Sequence, residues 1–478
     1  MPQFLRFTFY VFSARSPSCI PALILRIFRR VQNVWVVRVL YNIIFWVFFV
    51  LTLPYYFWRM WRRGNWQKDF GQRFARYDAR FKQAITNRHT FWMHAVSVGE
   101  VNVCTQLISF LEPRVPNLKF VVSTTTTTGM GELQSKLPTH ISKIYYPIDH
   151  RGWVRRALNI IHPQAIVLVE AEIWPNFLWR AFDMRIPLFL VNARLSDRSF
   201  RGYKRFGFLF RPIFRSFTGV GAQNEGDAAK LRELGCRPEA IHIVGNLKFD
   251  AAKLNERRLL DVPAMLEQLG VKRDAPILVA GSTHAGEEGI LAEQLLRLRE
   301  KFPDLFLVLV PRHFERCKDV GSELTARGIK FAFRSELTAN SRYQDELHCL
   351  LVNTTGELRY FYEHATVIFV GKSLTAEGGQ NPIEPGALGK AMVFGPNMQN
   401  FADVVRAFLA QDGAVQVRDA AELEATFIKL LSDPARREQL GRNALKVVRE
   451  NLGAIDRTVD IIVKHLEGGN LYVAPKRS

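Results

Sequence analysis

Cysteine is scarce in this chain and follows no pattern. The five residues Cys19, Cys104, Cys236, Cys317 and Cys349 are scattered, odd in number and without CxxC spacing. That excludes a disulfide framework and a cysteine-rich zinc site, and it favours a reducing compartment. A Walker A pattern, a GxSxG elbow and an HExxH pair are also missing, so the common P-loop, α/β-hydrolase and zinc-peptidase signatures do not apply. His284 and His313 do not have metal-ligand spacing, and the sequence calls for neither a metal nor another cofactor. Acidic residues are rare near the start: residues 1–80 hold 13 Lys/Arg against only Asp69 and Asp78. More than half of the net charge of +20 therefore lies in the first sixth of the chain. A nucleic-acid binder spreads such charge over a folded face. Here the charge flanks an apolar run, which points to lipid head groups and away from nucleic acid.

That run, Val39 to Trp58, has no charged residue across 20 positions, about the length that crosses a bilayer. It ends in Tyr55, Tyr56 and Trp58, followed by Arg59, Trp61, Arg62 and Arg63, an interfacial anchor signature. No small-residue cleavage site follows, which argues against a signal peptide. A buried core helix is the alternative. Arg29, Arg30 and Arg38 precede the run, so the charge bias sets orientation only weakly and a shallow monotopic insertion stays open. Residues 1–33 are basic and apolar by turns, with Pro17 and Pro21, and read as a second interfacial segment or as the product of an upstream start codon.

With 478 residues, 48% hydrophobic content and 31 glycines, the chain suits a folded α/β protein of two domains. Short apolar runs at Phe91–Val98, Leu118–Ser123, Ala165–Val169, Pro187–Val191 and Gly219–Ala222 read as buried strands separated by helical stretches. A second series follows at Pro276–Ala280, Leu305–Val310, Cys349–Val352, Thr366–Val370 and Ala391–Phe394. Alternation of this kind predicts parallel sheets with helical crossovers. The expected architecture is two Rossmann-like domains facing each other across a cleft. The division is residues 1–33 as extension, 34–63 as membrane anchor, 64–255 as the first domain and 256–478 as the second. Ligands in such folds bind at the carboxyl ends of strands, so the residues following each strand carry the functional reading.

The first strand leads into Ser97-Val98-Gly99-Glu100. Glu100 would sit at a helix start, as a helix-dipole partner or as a general base that takes a proton from an attacking hydroxyl. Another apolar strand ends in Glu170-Ala171-Glu172-Ile173-Trp174-Pro175-Asn176. Two acids there are costly unless paired, and Arg194 and Lys248 are the expected partners, whether in a salt bridge or in a site. In the second half, Gly281-Ser282-Thr283-His284 and Pro311-Arg312-His313 follow adjacent strands and suit an anion. Thr355-Gly356-Glu357 opens a helix after a third strand. Gly378-Gly379-Gln380-Asn381-Pro382-Ile383-Glu384-Pro385-Gly386 follows a fourth, joining a glycine-rich turn to a helix start. Glu384 is placed to accept hydrogen bonds from two ribose hydroxyls; a tight structural turn is the plainer reading. Residues 194–217 interleave seven Lys/Arg with seven aromatics, a pattern shared by RNA-binding segments and by helices on anionic lipid; beside an anchor the lipid reading is preferred, with a basic helix packed on its aromatic face as the plainer one.

Taken in order, the motifs beginning at His94, Glu170, Asn192, Gly245, Pro311 and Gly378 resemble the 3-deoxy-D-manno-octulosonic acid (Kdo) transferases of lipopolysaccharide synthesis, over about residues 35–465. The resemblance implies a GT-B type, metal-independent, inverting glycosyltransferase at the cytoplasmic face of the bacterial inner membrane. It implies CMP-Kdo as donor and the tetraacyl lipid A precursor as acceptor. Glu100 would be the general base, with Glu170 and Lys248 stabilising the transition state. Pro311 and Arg312, Thr355, Gly356 and Glu357, and Asn381, Pro382, Ile383 and Glu384 would bind CMP. Two positions depart from the pattern: Ala171 stands where threonine is usual, and Thr355 where methionine is common. Another nucleotide sugar as donor and an inactive membrane adaptor that binds lipid A precursor or nucleotide are the competing readings.

Overall fold

The computed structural model describes residues 34–62, 69–170, 173–251, 260–338, 343 and 346–467. The extension 1–33, Ala171 and Glu172 lie outside them. The chain divides into two compact units, residues 1–247 with 453–478, and residues 248–452.

Among the described residues of the first unit, the earliest element is one long helix, Val34–Arg62, which contains Pro54. Within it, Val36–Tyr55 is apolar enough to cross a membrane, and only 11% of that stretch is buried in the fold. Ile43, Ile44, Val47, Val50, Leu51, Trp58 and Trp61 are exposed. A core helix would be mostly buried, so this exposure fits the anchor reading better.

The strands of the first unit are β1 (His89–His94), β2 (Leu118–Thr124), β3 (Ser142–Tyr145), β4 (Pro163–Val169), β5 (Leu188–Ala193), β6 (Gly219–Ala222) and β7 (Ile241–Ile243). They form one sheet in the order β3-β2-β1-β4-β5-β6-β7. Every described pairing is parallel. Alternate side chains feed opposite faces. Trp92, Ile166, Leu168 and Leu190 join one core layer, while Phe91, Met93, Val167 and Val191 join the other. Two strands escape the sequence reading, β3 and β7, because both are short and carry polar residues at a sheet edge. The run Phe91–Val98 is also only partly strand. It ends at His94, and Ser97 starts the next helix, Val98–Leu111, by accepting the Glu100 N–H at 3.2 Å.

The second unit repeats the plan with β8 (Ile277–Thr283), β9 (Phe306–Pro311), β10 (Phe331–Phe333), β11 (Cys349–Leu351), β12 (Val367–Val370), β13 (Met392–Phe394) and β14 (Val415–Gln416). The order is β10-β11-β9-β8-β12-β13-β14, with every described pairing parallel. Thus β8 extends through Gly281-Ser282-Thr283, and the turn begins at His284.

The linear division at 255/256 differs from the packing. Helix Ala454–Glu467 belongs to the first unit, not the second. Its Ile455, Val459, Ile462, Val463 and Leu466 share a core layer with Phe91, Val167 and Phe189. An amphipathic helix goes where its apolar stripe is covered, whatever its place in the chain.

Candidate functional site

In the first unit the strand order reverses between β1 and β4. The carboxyl ends of strands at such a switch point border a natural crevice. Glu100 follows β1 and Glu170 follows β4, so the topology brings together two acids that are 70 positions apart in the sequence.

Glu100 is 6% exposed and tightly held. One carboxylate oxygen accepts the Val96 N–H at 2.8 Å, and the other accepts the Ser97 hydroxyl at 2.8 Å. With Ser97 accepting the Glu100 N–H in return, the two residues cap the helix start reciprocally, the carboxylate reaching one residue past the N-cap. The structural reading of this residue is therefore real, and it does not exhaust the chemistry. Burial pushes the Glu100 carboxyl up to about 7, and the nearby negative charge of Glu170 adds to the rise. The two hydrogen bonds offset part of it. A carboxyl that loses its proton near neutral pH suits a general base.

Glu170 has φ +60, a left-handed conformation that few residues with a side chain adopt. Its N–H donates to the Val191 carbonyl at 2.9 Å, which holds the strand end against β5. Backbone strain held by surrounding structure is a recurrent feature of sites. Lys248 opens the second unit, and its ammonium lies 3.4 Å from both carboxylate oxygens of Asp403. Asp403 carried no signal in the sequence, because it stands in a helix distant along the chain and outside every motif.

In the second unit the reversal falls between β8 and β12. Arg312 is exposed just past Pro311, the last residue of β9, and its N–H donates to the Thr283 carbonyl at 3.0 Å. The His284 and His313 rings meet edge to face at 5.5 Å. Thr355 and Gly356 are exposed, with Gly356 at φ +82. Glu357 is held by Arg334 at 2.9 Å and by the Thr354 hydroxyl. Sequence reasoning missed Arg334, which lies in a separate 3-10 turn.

The glycine-rich segment follows β12. A Cβ added at Gly379 (φ +71) would lie 2.5 Å from the Met398 sulfur, so the backbone needs glycine there. Asn381 accepts the Ile383 N–H at 3.0 Å, and its amide donates to Glu384 at 3.2 Å. Pro382 and Ile383 are buried, and the helix that Ile383 starts is short, Ile383–Ala387. All nine nucleotide-binding candidates therefore lie at the carboxyl side of strands in one unit. Among the described residues no three His, Cys, Asp or Glu gather to hold a metal ion.

The basic segment forms two helices, Asp197–Arg205 and Gly207–Arg215. Its aromatic residues mostly face inward: Tyr203, Phe210, Phe214 and Phe217 are buried core, and Phe208 is exposed. The outer face is basic, with Arg198, Arg201, Lys204, Arg205, Arg211 and Arg215 exposed. The packed-helix alternative thus accounts for most of the aromatic pattern.

A family model described as 3-Deoxy-D-manno-octulosonic-acid transferase (kdotransferase) matches residues 68–251. The 3-deoxy-D-manno-octulosonic acid transferase of Haemophilus influenzae is 31% identical over 401 residues, covering 81% of this chain and 92% of that one. The Bordetella pertussis protein of the same description is 32% identical over 416 residues, covering 84% and 94%. Among solved structures, the C-terminal CMP-Kdo binding domain of WaaA from Acinetobacter baumannii is 27% identical, with a TM-score of 0.35, covering 40% of this chain and all of that domain. On the identity and coverage of the Haemophilus and Bordetella relatives, the chain belongs to the 3-deoxy-D-manno-octulosonic acid transferase family.

Proposed function

We propose that this glycosyltransferase moves Kdo from CMP-Kdo to the tetraacyl lipid A precursor, with inversion at the anomeric carbon and without a metal ion. Kdo transfer in lipopolysaccharide synthesis follows from the family. The particular donor, acceptor and residue roles are our reading. The observation that carries it is the buried Glu100 beside Glu170 at the switch point, with a carboxyl that ionises near neutral pH.

Glu100 accepts the proton of the acceptor's primary hydroxyl as its oxygen forms a bond to the anomeric carbon. The bond from that carbon to the CMP phosphate oxygen breaks, and CMP leaves with the electron pair. Positive charge that develops on the sugar ring is stabilised by Glu170, and negative charge on the leaving phosphate by cationic and N–H donors. Lys248, held by Asp403, belongs with the second group. Pro311 and Arg312, Thr355, Gly356 and Glu357, and Asn381, Pro382, Ile383 and Glu384 take CMP. Arg312 and the main chain around Asn381 serve the phosphate, and Glu384 the ribose.

The acceptor carries phosphates and acyl chains. Helix Val34–Arg62 therefore inserts in the inner membrane, with the two α/β units at its cytoplasmic face, and the basic outer face of residues 198–215 meets anionic lipid. The exposed apolar surface of that helix supports this placement.

The test is transfer from CMP-Kdo to the tetraacyl precursor by membranes that carry the intact chain, with other nucleotide sugars as competitors. Product with the mass of one or more added Kdo units is expected. Transfer from another nucleotide sugar, and none from CMP-Kdo, would overturn the donor assignment.

A further inference from the structure

Helix Glu287–Lys301 starts with two acids in its first turn. In sequence such a pair looks like an exposed partner of the helix dipole. In the fold Glu287 is 0% exposed and Glu288 is 2% exposed. Carboxylates taken out of water this completely must be compensated by hydrogen bonds or opposite charge.

Among the described residues, Glu287 is compensated by main-chain donors. One oxygen accepts the N–H of His284 at 2.9 Å and of Lys372 at 2.7 Å. The other accepts the N–H of Ser373 at 2.8 Å and of Leu374 at 2.9 Å. One carboxylate thus holds the loop that leaves β8 against the loop that leaves β12. Lys372 sits at φ +54, a conformation that costs energy and that these bonds maintain. Glu288 makes a two-pronged pair with Arg316, at 2.9 and 3.3 Å. Arg316 ends the short turn that follows Pro311-Arg312-His313. Consecutive glutamates therefore tie together the ends of β8, β9 and β12.

Two of those strand ends, β9 and β12, carry proposed CMP-binding residues. Arg312 is at the end of β9. The glycine-rich segment is hung on the Glu287-held loop, because Gly379 N–H donates to the Lys372 carbonyl at 2.9 Å and Gln380 N–H to the Gly371 carbonyl at 3.2 Å. The Glu287 carboxylate is thus linked, through Lys372, to the segment that leads into Asn381–Glu384.

We infer that Glu287 and Glu288 are positioning residues for the donor: they touch no substrate and, anchored on the loop after β8, set the spacing of the two loops, after β9 and β12, that do. The inference rests on the proposed reading of these loops as the CMP site. Loss of either glutamate weakens the nucleotide interaction of folded protein and leaves the acceptor interaction alone, since the acceptor-side acids Glu100 and Glu170 belong to the other unit. The Glu288–Arg316 pair acts as one device, so removing both partners should cost no more than removing one.

The experiment is calorimetric titration of the detergent-solubilised full chain with CMP, alongside donor and acceptor KM. The proteins are wild type, Glu287→Gln, Glu288→Gln, Arg316→Gln and the Glu288→Gln/Arg316→Gln double variant. In Glu287→Gln an amide N–H2 faces main-chain donors, and donor KM and CMP Kd should rise about tenfold or more, as small misplacements at a site do. Glu288→Gln, Arg316→Gln and the double variant should all rise to a similar, smaller extent, with acceptor KM unchanged. Should Glu287→Gln not fold, the Glu288–Arg316 arm decides alone, since Arg316 is partly exposed. Folded variants that bind CMP as wild type does would overturn the positioning role and leave the donor reading standing. Wild-type protein that does not bind CMP would overturn the donor reading and this inference with it.

Discussion

At the residue scale the chemistry turns on Glu100. Its carboxyl stands at about 7, first because it is buried and second because Glu170 is near. The rate of transfer should therefore rise with pH and level off above about 7, as Glu100 gives up its proton. Glu170→Gln removes the second cause and keeps the first. In the activity that remains, the acid limb of kcat/KM should move to lower pH while staying above the ordinary glutamate value of 4.5. A limb that does not move would remove Glu170 from the environment of the base. The same residue affects stability. Between pH 4.5 and about 7 the folded protein keeps a proton that the unfolded chain has released, so Glu100 makes the fold less stable as pH rises through that window. Glu100→Gln should flatten that part of the profile of stability against pH. The sequence pointed to Glu100 through its place after an apolar run. It was silent on Glu287 and Asp403, because burial of an acid by a distant loop leaves no local pattern.

At the scale of elements, helix Val34–Arg62 is docked on the first unit through its N-terminal half. Arg38 grips Asp183 with two bonds, at 2.8 and 3.0 Å, and stacks on Trp179. Tyr41 donates to Asp149 at 2.8 Å, and the Asn42 and Asn176 amides pair at 3.1 and 3.2 Å. Asp149 is 1% exposed and also accepts the N–H groups of Asn176 and Phe177, at 3.0 and 2.9 Å, where helix Pro175–Asp183 begins. Asp149→Ala leaves these buried donors unpaired and should cost on the order of 3 kcal/mol. Thermal unfolding in detergent, wild type against variant, measures this; equal midpoints would mean that the network contributes nothing. The sequence displayed the apolar length of this helix and its flanking arginines. Its docking was not legible, since Asp149, Asn176 and Asp183 read as ordinary loop and helix polar residues.

At the scale of the whole molecule, two parallel-sheet α/β units were legible because buried parallel strands are nearly continuous apolar runs. Ten such runs were visible, and the four missed strands are the edge strands β3, β7, β10 and β14. The return of helix Ala454–Glu467 to the first unit could not be read, because an amphipathic stripe does not name the surface that covers it. A chain ended at residue 452 should therefore lose the cover of Phe189 and Val167 and be recovered mainly as aggregate. Recovery of soluble protein with native-like unfolding would show that this helix is dispensable. The strand order adds what no motif did: in the first sheet Glu100 and Glu170 follow the two strands between which the order reverses, β1 and β4, and in the second sheet the candidates follow β9, β11 and β12, on both sides of the reversal.

The most direct test of the central claim is the rate of Kdo transfer from CMP-Kdo to the tetraacyl precursor by Glu100→Gln, measured beside CMP binding by the same protein. The account predicts that transfer falls by about 10²–10⁴-fold, the usual contribution of a general base, while CMP binds as it does to wild type. Transfer at the wild-type rate would contradict it and leave Glu100 as a helix cap alone.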